Sequence, residues 1–253
     1  MNMDCRHPRG SKTRPMRLTS CSAFAFAALL LAPPAHADLV AHLRFDGDLK
    51  DAAGRHDGRP VDPKLAPAFA PGRFGRALVI EKTNAGIELA DPSSIDLSRD
   101  FTIATWINVG NYYAEMPVLF KGRADLTAEP DKFFGLGIRD SLQVYGEGQG
   151  SWIARFRTSN GLMPNDGQWH HVAVTYRAAQ SPHFALYVDG QGKDPSDKAN
   201  STGKDFVVKP DAPDSVLRIG CRADGDTYRY VRAHLRGLID ELQIYDEALE
   251  ARD

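Results

Sequence analysis

Asp166-Gly-Gln-Trp-His-His-Val-Ala-Val-Thr-Tyr176 reads as a turn that feeds a β-strand. Asp166-Gly167 supplies the turn, and Val172 to Tyr176 is rich in β-branched and aromatic residues, which suit a pleated, half-buried surface. A second run, Phe184-Ala-Leu-Tyr-Val-Asp-Gly190, follows after a short polar link. Together they predict an antiparallel hairpin. On the first strand Val172, Val174 and Tyr176 share one face, and His171, Ala173 and Thr175 the other. His170 and His171 are neighbours on a strand and so point to opposite faces, which makes a shared metal ion difficult and a structural use the simpler expectation.

The pattern repeats outward along the chain. Short strand-like runs fall at Leu39–Phe45, Ala77–Ile80, Gly86–Leu89, Phe101–Val109, Val118–Lys121, Phe133–Ile138, Leu142–Tyr145, Trp152–Arg157, Val216–Ile219 and Leu235–Tyr245, separated by Gly, Pro, Asp and Asn. Many short strands and almost no 3.6-residue periodicity predict an all-β sandwich or barrel. Only Asp246–Asp253 has a helical pattern. In Phe101-Thr-Ile-Ala-Thr-Trp-Ile-Asn108, alternation sends Phe101, Ile103 and Ile107 to the core. Thr102, Ala104, Trp106 and Asn108 go to the opposite, wetter face.

The first 37 residues have the pattern of a signal peptide. Arg6, Arg9, Lys12, Arg14 and Arg17 precede a short apolar run at residues 23–32, and Ala35-His36-Ala37 is an A-x-A cleavage site. The apolar run is too short for a membrane span. Met16 is an alternative start that keeps a basic leader. A mature domain of residues 38–253 suits a single sandwich. It holds 26 Lys+Arg against 32 Asp+Glu, a net charge of −6. That balance, with no basic run, argues against nucleic acid and anionic lipid. Cys221 is the one cysteine after the leader, so an internal disulfide is excluded and a buried thiol is expected.

Five segments in order resemble the laminin-G-like branch of the concanavalin A-like lectin/glucanase superfamily, a jelly-roll β-sandwich. They are Leu39-Val-Ala-His-Leu-Arg-Phe-Asp-Gly-Asp48, Gly75-Arg-Ala-Leu-Val-Ile80, Phe101-Thr-Ile-Ala-Thr-Trp-Ile107, the Trp169 hairpin, and Gly237-Leu-Ile-Asp-Glu-Leu-Gln-Ile-Tyr245 with its Ala248-Leu249 tail. The resemblance implies a fold used mostly for binding, often of glycans. It also implies a structural Ca2+ near the paired first and last strands, with Asp46 and Asp240 as metal ligands. Calcium wants six to eight oxygens, and two carboxylates underfill that shell. The alternative is that Asp240 caps local backbone N–H groups and Asp46 is a turn residue.

Aromatic residues on predicted wet faces and loops are the candidate ligand contacts. Trp106, Trp152, Tyr228 and Tyr230 are chosen because sugar rings present apolar C–H faces that stack on such rings. Tyr228 and Tyr230, two apart, would share a strand face. Trp152 follows the glycine-rich Gly146-Glu-Gly-Gln-Gly150. The competing expectation is that these rings cover the edges of the core. Gly-x-Ser-x-Gly, His-Glu-x-x-His and Walker patterns are all absent from the sequence. The expected function is therefore an exported, non-catalytic module, secreted, periplasmic or at the cell surface, that recognises carbohydrate or glycoconjugate. A protein–protein adhesion module with a surface-protein partner is the alternative, and a polysaccharide lyase or glycosidase the third reading.

Overall fold

The computed structural model describes residues 37–82, 85–110, 116–123, 133–138, 141–147, 153–158, 166–193, 201–203, 205–210, 212, 214–222 and 234–250, with the backbone alone for 147, 153–158, 193 and 201–203. The leader, most of the cleavage site, Trp152, Tyr228 and Tyr230 lie outside the described residues. The chain divides into Met1–Ala35 and His36–Asp253, and the second unit carries the fold.

In chain order the strands are β1 (Leu39–Leu43), β2 (Gly58–Pro60), β3 (Ala68–Pro71), β4 (Arg76–Ile80), β5 (Ile87–Leu89), β6 (Phe101–Val109), β7 (Met116–Arg123) and β8 (Phe134–Ile138). They continue with β9 (Leu142–Glu147), β10 (Ile153–Thr158), β11 (Trp169–Tyr176), β12 (Phe184–Val188), β13 (Gln191–Lys193), β14 (Ser201–Gly203), β15 (Ser215–Ile219) and β16 (Gly237–Tyr245). Every expected strand run has a counterpart, and β2, β3, β13 and β14 are additions too short to register as a pattern. One sheet runs β13-β12-β11-β6-β16-β4-β3 with β1 also on β16, and the other runs β14-β10-β9-β8-β7-β15-β5-β2. All pairings are antiparallel.

The two inner faces close on one core. Phe101 of the first sheet meets Phe134 of the second edge-on at 5.2 Å, and Phe101 stacks on Tyr176 at the same centroid distance. Such pairs contribute about 0.5–1.5 kcal/mol beyond the area they bury. Phe101, Ile103 and Ile107 are fully buried, as alternation predicts. The opposite face of β6 is drier than expected, because Thr102 and Ala104 are buried as well, while Trp106 is half-buried. Cys221 is a buried thiol, bridged through its backbone to His234.

The expected terminal helix does not form over residues 246–250. The tail's polar groups are taken by the first sheet instead. Leu249 N–H donates to Thr102 Oγ1 at 2.8 Å, and that hydroxyl donates to the Glu247 carbonyl at 2.7 Å. Asp246 accepts the Asp38 N–H at 2.8 Å. A segment of this length gains too little from its own hydrogen bonds to compete.

Candidate ligand-binding surface at the bulge of the last strand

One side of β16 is shared by two strands end to end. β4 pairs with Gly237–Ile239, and β1 pairs with Leu242–Tyr245. Between them β16 carries a β-bulge. Asp240 lies opposite Trp106 and Gln243 opposite Ala104, so Glu241 and Leu242 face the single residue Thr105. Glu241 takes a left-handed conformation, φ 50°, which is uncommon for a side chain of its kind. The Asp240 carbonyl lies at this bulge. Thr105, buried on the core face, donates its hydroxyl to that carbonyl at 2.9 Å. Bulges re-aim side chains, and this one sends Asp240 beneath the turn that joins β3 to β4.

That turn, Gly72-Arg-Phe-Gly75, is closed by Gly72 N–H to the Gly75 carbonyl at 3.1 Å. Both glycines have a steric reason. A Cβ on Gly72 would stand 2.7 Å from Asp240 Oδ2. A Cβ on Gly75, φ 50°, would collide with Asp46 Oδ1. The turn therefore rests between the two carboxylates. Phe74 N–H donates to Asp240 Oδ2 at 2.9 Å, and Arg76 N–H donates to Asp46 Oδ1 at 3.0 Å. The expected approach of the first and last strands is borne out by the β1–β16 pairing, and both carboxylates cap backbone N–H groups.

Asp240 has no exposed surface, and its Oδ1 has no hydrogen-bond partner. Burial pushes its carboxyl above the usual range; the Phe74 N–H opposes this, and the charge of Glu241 adds to it. Asp46 pairs with Arg44 at 3.1 Å. Glu241 meets His42 Nε2 at 2.5 Å and Arg44 at 3.7 Å. Among the described residues no group of three or more His, Cys, Asp or Glu side chains converges on one point. This donor set does not fit a calcium shell of six to eight oxygens.

On the outer side the same turn builds an aromatic platform. The Phe74 ring meets Trp106 edge-on at 6.0 Å and is 51% exposed. The His171 ring lies 5.3 Å from Trp106 on the other side, and Arg73 Cζ stands 4.7 Å from the Trp106 centroid. Burial pushes the His171 imidazole below its usual range, against the pull of Asp189. His170 turns away to Asp166 and Asp189, at 2.9 and 2.7 Å, as opposite faces require. The structure thus brings three of the six expected site residues, Trp106, Asp240 and Asp46, to one turn. Sequence reading missed Arg73 and Phe74, which sit between short strands without periodicity. The glycines at 72 and 75 were the available signal.

Solved structures share this fold. Domain 4 of AbnA, a GH43 extracellular arabinanase from Geobacillus stearothermophilus, solved with arabinotriose, is similar at a TM-score of 0.61 and 22% identity, over 85% of this chain and 96% of that one. Trypanosoma rangeli sialidase is similar at a TM-score of 0.56 and 16% identity, over 85% of this chain and 31% of the sialidase chain. A comparison with curated proteins found no significant match. Residues 81–253 match the model of the Laminin_G_3 family, described as the concanavalin A-like lectin/glucanases superfamily, and the chain belongs to that family.

Proposed function

We propose that the chain is an exported, non-catalytic module that binds carbohydrate on the outer face of its first sheet. The observation that carries this reading is the platform of Trp106 and Phe74 beside the β16 bulge. An aromatic ring that is half exposed and held edge-on by a second ring offers a stacking surface for the C–H face of a sugar. The backbone beneath it is fixed by the Asp240 cap, so binding would cost little ordering of the turn. The family and the arabinotriose-bound relative support the same ligand class. The leader with Ala35-His36-Ala37 supports export.

A glycan array on residues 38–253 tests the reading. Trp106→Ala and Phe74→Ala should each weaken the captured glycan by about 1–3 kcal/mol, the range of key aromatic contacts. Binding that survives both substitutions would remove this surface from the function.

A further inference from the structure

We infer that the Trp106 platform selects saccharides that carry an acidic group, with Arg73 as the residue that reads the charge. The inference rests on the carbohydrate reading above and adds a chemical class to it. Arg73 is exposed, and among the described residues its guanidinium makes no ion pair. Its contacts are the faces of Trp106 at 4.7 Å and Phe74 at 5.5 Å. A guanidinium held over aromatic rings and outside any ion pair has N–H donors to offer a ligand, in a fork that matches an oxyanion. A sugar resting on the rings would bring its substituents to those donors.

The surrounding charges leave that cation uncompensated. Asp240, the carboxylate on the strand beside Trp106, lies beneath the turn with no exposed surface and accepts the Phe74 N–H. Asp46 and Glu241 both turn to Arg44. Arg76 adds a second cation from the β4 start, held by the Phe69 carbonyl at 2.8 Å. The outward face of the turn is therefore cationic on a domain whose net charge is −6. That local reversal would steer an anionic ligand to this place and away from the remaining surface.

The test is titration of the 38–253 protein with three probes of similar length: a galacturonate oligomer, a sulfated heparin oligosaccharide and a neutral arabino-oligosaccharide. Tighter binding of an acidic probe by tenfold or more supports the inference, and the better of the two acidic probes names carboxylate or sulfate. Arg73→Gln should remove that preference at unchanged melting temperature, because it keeps the turn backbone. Arg73→Lys should restore it only in part, and added salt should erode it. Neutral binding that depends on Trp106 but ignores Arg73 would overturn the inference and leave the carbohydrate reading standing. Failure of all three probes would overturn the inference, and failure of the glycan array as well would overturn the carbohydrate reading.

Discussion

Asp240 is the residue whose replacement says most about this fold. It is fully buried, its Oδ2 accepts the Phe74 N–H at 2.9 Å, and its Oδ1 has no partner. Asp240→Ala takes from that part-buried N–H its hydrogen bond to a carboxyl, a loss of about 1–3 kcal/mol. For a domain of about 150–250 residues each kcal/mol moves the melting temperature by about 2–4 °C, so the expected fall is about 2–12 °C. Asp240→Asn keeps one acceptor oxygen and removes the buried charge, so its loss should be less than half as large. The pH dependence has a defined sign. The folded carboxyl is raised by burial, so its contribution is fully present below the unfolded pKa and is lost as pH rises through the folded value. The stability of Asp240→Asn relative to the native protein should therefore improve from pH 4 to pH 8. Melting followed by circular dichroism across that range is the assay. An Asn variant as unstable as Ala at both ends, or an Ala variant that melts like the native protein, would refute the capping argument.

Three further outcomes are expected. Phe101→Ala removes the ring that joins the two sheets and should cost about 3–5 kcal/mol in denaturant unfolding. Asp51 is held below its usual range: burial acts to raise it, and the N–H groups of His42, Arg55, His56 and Ala53 outweigh that. Its stabilisation is present above the unfolded pKa and lost as pH falls through the folded one, so the acid-induced loss of stability should be smaller in Asp51→Ala, measured as chemical-denaturation midpoints between pH 6 and pH 2. Calcium and chelator should leave the melting curve unchanged, since the carboxylates of Asp46 and Asp240 already cap backbone N–H groups; a calcium-dependent rise that Asp240→Ala abolishes would reinstate the metal site.

The fold was legible because its determinants are local and repeated. The Asp166-Gly167 turn, the alternation along Phe101–Ile107 and the spacing of a dozen short apolar runs each specify strand, face and turn without reference to distant residues. The expectation that Trp106 leaves the core face needed only the two-residue period of a strand. The aromatic expectations at Trp152, Tyr228 and Tyr230 rest on their residue type and lie outside the described residues. What the sequence could not supply was the bulge at Asp240 and Glu241. A one-residue slip has no signature in a strand whose residues on both sides of it alternate correctly, and it decides where the carboxylate points. The pairing of β16 with both β1 and β4 is equally non-local, because residues more than 150 positions apart in sequence meet there. Sequence alone determined an all-β chain with buried and exposed faces on each strand. Only the tertiary structure set Arg73 and Phe74 over Trp106, because a short glycine-flanked turn takes its position from the carboxylates it caps and carries no periodicity of its own.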